Sequence, residues 1–133
     1  MKKILFTLFI GMSFIGCSNN DDDSTTQQNN PVTTQYFHPP TWIQGSWKVG
    51  NTSYYKFTND DFIYVMNGTS YKAILTQTSS NGQTAKVDET ITDTDYNFVI
   101  TAGASSGSYK FKKINSIQIQ WLNGVNNITL DKE

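Results

Sequence analysis

The chain has no arginine, one histidine and one cysteine in 133 residues. All ten basic residues are lysines, two of them at Lys2 and Lys3. Beyond those two, eight lysines face eleven carboxylates, a net charge of −3. That balance is the opposite of a nucleic-acid-binding footprint. A single cysteine excludes an internal disulfide, and with only His38 beside it there is no Cys/His cluster for zinc. Long apolar runs are missing too. The longest, Ile4 to Ile15, is interrupted by Thr7, Gly11, Met12 and Ser13. As a helix to Gly16 it reaches only about 20 Å, against a hydrocarbon core of roughly 30 Å. Aromatic residues are plentiful: 8 Phe, 7 Tyr and 3 Trp. A domain this small, with no disulfide, must draw much of its stability from burying them.

Met1-Lys2-Lys3 followed by the short apolar run has the charged start and hydrophobic stretch of a secretory signal. The run ends in Phe14-Ile15-Gly16-Cys17, which resembles the lipobox of bacterial lipoproteins, with Phe14 where leucine is usual. The resemblance implies cleavage before Cys17, acylation of that cysteine, and attachment to a membrane through its lipid. More than one acyl chain makes such an anchor durable. The alternative is a soluble secreted chain with one incidental cysteine. Asp21-Asp22-Asp23 follow closely and look like the acidic export signal that sends some Gram-negative lipoproteins to the outer face of the outer membrane; an ordinary solvated charge run fits the same residues. Residues 18 to 40 are mostly Ser, Thr, Asn, Gln and Asp, poor material for a core, and read as a disordered tether of about 25 Å root-mean-square reach. The expected organisation is a signal peptide over 1–16, a lipidated cysteine and tether over 17–40, and one domain over 41–133.

Within the domain the hydrophobic period is two. Tyr96, Phe98, Ile100 and Ala102 alternate with polar Asn97 and Thr101, and Ile117, Ile119 and Trp121 alternate with Gln118 and Gln120. Tyr55/Phe57, Val87/Glu89/Ile91, Tyr109/Phe111 and Ile128/Leu130 add further strands. Asn67-Gly68, Asn81-Gly82 and Asn123-Gly124 have the chemistry of tight hairpin turns, and Gly103 to Gly107 reads as a hairpin loop. Only Ser70 to Gln77 is ambiguous, because Tyr71, Ile74 and Leu75 also fall on one side of a short helix. The expected fold is all-β, a small antiparallel up-and-down barrel of about eight strands; a two-sheet sandwich satisfies the same pattern. Trp42, Trp47, Trp121, Tyr55, Phe57, Phe98 and Phe111 are its candidate core.

Pro40-Thr41-Trp42-Ile43-Gln44-Gly45-Ser46-Trp47-Lys48 resembles the entry to a lipocalin-like domain, where a short turn leads into a Gly-x-Trp motif. Tyr55-Lys56-Phe57 and Asp61-Phe62-Ile63 are similar to small lipocalin-like lipoproteins of Gram-negative bacteria. The resemblance spans Pro40 to Leu130. It implies that Trp47 closes the barrel bottom and that a small hydrophobic molecule is held inside. The arginine that often packs on this tryptophan from near the last strand has no counterpart in an arginine-free chain.

The inventory for catalysis is thin. His38 lies in the tether, Cys17 is consumed by the lipobox reading, and Asp60-Asp61 and Asp93/Asp95 occupy turn positions where Asp is a turn former. No catalytic residue, metal site or cofactor is expected. Glu89 stands apart as a candidate ligand-binding pocket group, since it shares a strand face with Val87 and Ile91, where an inward carboxylate is costly unless paired; the alternative is a strand that carries its polar face inward at that end. Tyr54, Tyr64 and Tyr71 are candidates to line a cavity or to offer stacking faces to a sugar. The expectation is a non-enzymatic outer-membrane lipoprotein facing the cell exterior. It binds a small hydrophobic molecule if the barrel holds a void of roughly 300 Å³. With a solid interior it contacts a glycan or an envelope protein instead.

Overall fold

The computed structural model describes residues 34–122 and 126–133. Cys17, the Asp21-Asp22-Asp23 cluster, the signal segment, most of the expected tether and the Asn123-Gly124 turn lie outside the described residues. Among the described residues nine strands form one antiparallel sheet: β1 (Gly45–Val49), β2 (Thr52–Phe57), β3 (Phe62–Tyr64), β4 (Thr69–Ser70), β5 (Ala85–Ile91), β6 (Asp95–Ala102), β7 (Ser105–Lys113), β8 (Gln118–Trp121) and β9 (Ile128–Lys132). The order is β4-β3-β2-β1-β9-β8-β7-β6-β5, so the last strand returns to pair with the first. The sheet curls into a half-barrel whose two free edges are β4 and β5. One helix, α1 (Tyr71–Ser80), connects them and packs on β3, β5 and β6. The expected all-β antiparallel meander is therefore present, with a helix between the edge strands rather than a further strand pairing.

Capping explains why Tyr71–Ser80 is helical despite its five Ser, Thr and Gln residues. The Ser70 hydroxyl accepts from the Ala73 N–H at 3.0 Å. The Asp61 carboxylate accepts from the Lys72 N–H at 2.9 Å and from the Ser70 hydroxyl at 2.6 Å. A cap of this kind is worth about 1 kcal/mol, enough to tilt a short, ambiguous segment. Asp61 is buried to 7% exposure and is therefore a fastener between β3 and α1. Asn81-Gly82 ends the helix instead of turning a hairpin: Gly82 has φ 72° and its N–H donates to the Ser79 carbonyl at 2.9 Å. At Gly103 the chain does turn a hairpin, with φ 62°, but β7 starts at Ser105, so the turn is tighter than the five-residue loop its composition suggests.

The inward face is solid with rings. Trp47, Tyr55, Phe57, Phe62, Tyr96, Phe98 and Phe111 are buried together with Ile43, Leu75, Ile119 and Leu130, while Trp42 and Trp121 pack partly buried against them. Tyr36 and Phe37 belong to the same core, with Phe37 fully buried and 5.7 Å from the Phe98 ring. The packed part of the chain thus reaches back at least to Tyr36 rather than starting at Thr41. Two aromatic residues supply the apolar surface that the polar composition before them lacks.

Gly45-Ser46-Trp47 has a physical basis. Trp47 is fully buried and its indole N–H donates to the Ile43 carbonyl at 2.6 Å. The Lys132 ammonium, on the last strand, lies 5.3 Å from the Trp47 ring centre, so lysine supplies the cation–π contact in an arginine-free chain. To reach it, the lysine stem crosses Gly45, where a Cβ would meet Lys132 Cε at 3.1 Å, and Gly45 itself has φ 120°. A Gly45→Ala chain should lose about 1–3 kcal/mol from backbone strain, read as a lower urea midpoint; an unchanged midpoint would show that the strand relaxes freely.

Candidate functional site

The meander has two ends. The β2–β3, β5–β6 and β7–β8 turns lie at one, and the β1–β2, β3–β4 and β6–β7 turns at the other. A strap, residues 34–44, covers the first. Its Gln35 amide donates to the Asn59 carbonyl at 3.3 Å and its Trp42 indole to the Thr92 carbonyl at 3.3 Å. Glu89 is the strap's clasp. One carboxylate oxygen accepts from the His38 backbone N–H at 2.8 Å and from the Tyr96 hydroxyl at 2.5 Å; the other lies 2.8 Å from His38 Nδ1. The Glu89 side chain is 11% exposed, while His38 is 56% exposed. Burial first, then the bond to Glu89, pushes the Tyr96 phenol well above its ordinary pKa. The inward carboxylate that looked like a pocket group is thus fully engaged by the strap. A Glu89→Ala chain should leave the buried Tyr96 hydroxyl unpaired, costing about 1–3 kcal/mol. It should also expose the bond after Phe37 to chymotrypsin, and resistance equal to that of the parent chain would show that the clasp holds nothing.

At the opposite end are two neighbouring clefts. One, of about 270 Å³, lies between Tyr71 and Ile74 of α1 and the β6–β7 hairpin, where Ile100, Ala102, Ser105, Ser106, Gly107 and Tyr109 line it. The other, of about 200 Å³, is walled by Tyr54, Tyr55, Tyr64, Tyr71, Tyr109 and Trp121. Tyr71 and Tyr109 belong to both, and their hydroxyls are 2.7 Å apart, so this pair forms the partition. Each partition ring is backed by a phenylalanine. Tyr71 stacks on Phe62 at 5.0 Å, and Tyr109 on Phe98 at 5.3 Å.

Register explains the convergence. Tyr55 pairs with Tyr64 across β2 and β3, and Tyr109 lies on the same face of β7 as Phe111, which pairs with Trp121 of β8. Tyr54 adjoins a register shift in the β1–β2 ladder between Trp47 and Lys48, and its ring lies 4.8 Å from that of Tyr55, its neighbour in sequence. Strict alternation puts adjacent residues on opposite faces, so a bulge is what gathers both. The three tyrosines singled out in sequence, Tyr54, Tyr64 and Tyr71, therefore meet in one cleft, whereas Glu89 belongs to the other end. Tyr55, Tyr109 and Trp121 were read as strand or core residues, and nothing in their local pattern marks them as cleft walls. Burial raises the pKa of Tyr55, Tyr109 and Tyr54, with neighbouring phenols adding to it, so the hydroxyls stay neutral.

Among the described residues the carboxylates do not converge. Asp60 pairs with Lys72, whose hydrogen bond holds its carboxyl below the usual range; Asp88 pairs with Lys86 at 2.7 Å; and Asp95 bonds the Thr92 and Thr94 hydroxyls within its own turn. Among the described residues no three His, Cys, Asp or Glu side chains form a metal-binding group, and no helix is long and apolar enough to cross a membrane.

Fold and site together define the class of protein: among the described residues, an all-antiparallel β half-barrel with one α-helix, compatible with a lipocalin-like barrel, strapped at one end and carrying an aromatic cleft at the other. Comparison of the chain with protein-family models, with curated proteins and with solved structures finds no match.

Proposed function

We propose that the protein is a lipid-anchored, non-catalytic binding module that holds a compact, amphipathic small molecule at the tyrosine-lined end of its half-barrel. The observation that carries this reading is the meeting of Tyr54, Tyr64 and Tyr71, from β2, β3 and α1, with Trp121 in one cleft. Aromatic walls with a few polar tips are the usual furniture of a small-molecule site. Neither of these clefts reaches the roughly 300 Å³ set for a hydrophobic molecule inside the barrel, and the described interior is filled with rings, so the proposal moves the ligand from the interior to the mouth and makes it short.

Lipoprotein status rests on the Phe14-Ile15-Gly16-Cys17 lipobox, and the outer face of the outer membrane on Asp21-Asp22-Asp23. The chain enters the folded unit beside Asn59, at the strapped end. Intact-mass analysis of the full chain extracted from membranes should find Cys17 as the N-terminus with acyl chains attached. A Cys17→Ala chain should lose its membrane attachment and keep its fold. An unacylated mass, or membrane retention of the variant, would overturn the anchoring. A second reading, a glycan-contacting surface module, draws on the same partly buried tyrosines at the mouth.

A further inference from the structure

We propose that the tyrosine cleft is a cage for a methylated ammonium cation, the head of a small organic molecule whose positive nitrogen is wrapped in methyl groups. The proposal rests on the reading of this cleft as a binding site and names the chemistry of its occupant.

All six residues lining the cleft, Tyr54, Tyr55, Tyr64, Tyr71, Tyr109 and Trp121, are aromatic, with no carboxylate, amine or aliphatic side chain among them. An aromatic face is negative, and a cation within about 6 Å of a ring centre is attracted to it. The angles between rings distinguish possible guests. Tyr54 and Tyr55 meet at 86°, Tyr54 and Tyr64 at 71°, Tyr55 and Trp121 at 88°, and Tyr55 and Tyr109 at 87°. A flat sugar ring is best served by one broad platform. Tyr54 and Trp121 are tilted at 41° and Tyr55 and Tyr64 at 48°, so none of these pairs forms a coplanar platform, and the cleft presents several differently inclined rings to a rounded head. A volume of about 200 Å³ accommodates such a head with a short substituent.

The missing carboxylate points the same way. A bare ammonium has N–H groups that need acceptors when they leave water, whereas a fully methylated one has none to satisfy. Its charge is spread over methyl groups and is cheaper to desolvate, so a site that attracts it only through ring faces is sufficient.

The test is calorimetric titration of the full chain with choline, with its neutral carbon isostere bearing a tert-butyl group in place of trimethylammonium, and with glucose. Choline should bind about tenfold more tightly than the isostere, the factor expected of a desolvated cation–π contact. Tyr54→Phe and Tyr64→Phe chains should retain choline binding, because the ring face remains. Tyr54→Leu and Tyr64→Leu chains, checked for folding by circular dichroism, should lose it by roughly tenfold. Equal affinity for choline and the isostere would overturn the cation while leaving the binding site intact. Glucose binding abolished by Tyr54→Phe would overturn it in favour of a sugar. If choline, isostere and glucose all fail to bind at millimolar concentration, the cage and the binding-site reading fall together.

Discussion

A Trp47→Ala chain is expected to lose about 3–5 kcal/mol of folding stability, the usual cost of truncating a large buried aromatic. Small domains have only about 5–15 kcal/mol in total, so the variant should be marginally folded at room temperature. Three features place Trp47 at the high end of that range. The ring is fully buried; its N–H satisfies the Ile43 carbonyl, where the strap enters β1; and the Lys132 ammonium sits over its face. Removing it therefore loosens the strap, the first strand and the last strand at once. Urea unfolding followed by circular dichroism measures the loss. A cost under about 1 kcal/mol would mean that the site collapses around the void and that Trp47 is replaceable. A Lys132→Met chain separates the contributions: it keeps the stem over Gly45 and removes only the cation, so it should cost about 0.5–1 kcal/mol.

Alkaline pH should unfold the domain steeply. Tyr55 and Tyr96 are buried, and both phenols are pushed far above the ordinary value of 10.0, mainly by burial. Above that value the unfolded chain sheds these protons while the folded chain keeps them. The stabilisation is therefore fully present below pH 10 and is lost as pH rises, at about 1.4 kcal/mol per pH unit for each tyrosine. Two such groups amount to about 5 kcal/mol by pH 12, comparable to the whole stability of a small domain. Tyrosinate absorbance from Tyr55 and Tyr96 should appear only together with loss of the fold. A Tyr96→Phe chain should show about half the slope of the two-tyrosine expectation. All tyrosines titrating together near pH 10 with the fold intact would contradict the burial.

The strands were legible because each has one wet and one dry face. Tyr96, Phe98 and Ile100 alternate with half-buried or exposed neighbours as their spacing predicts, and Tyr55/Phe57 and Phe111 do the same. Ile117 was not: it continues the alternation of Ile119 and Trp121 yet lies in the turn before β8, 63% exposed. Hydrophobic period says which face a residue would take in a strand, not where the strand begins. Helix α1 was ambiguous because only Leu75 is fully buried along it, leaving a faint helical stripe, and its caps involve Asp61, nine residues upstream of Ser70. Asn81-Gly82 suits a hairpin and a helix end equally, since both require a residue at positive φ.

Composition and pattern alone determined the antiparallel strand chemistry, the dependence on aromatic burial, the poverty of catalytic groups and the candidacy of Tyr54, Tyr64 and Tyr71. These are local or additive properties, carried by residue type and by neighbours a few positions away. Tertiary structure decided the rest. It drew Tyr36 and Phe37 out of a polar segment into the core, turned Glu89 from a pocket candidate into the strap's clasp with His38 and Tyr96, and set Lys132 over Trp47. It also brought six rings from β2, β3, α1, β7 and β8 to one cleft. Each of these joins residues distant along the chain, and only the curl and register of the sheet set which of them meet.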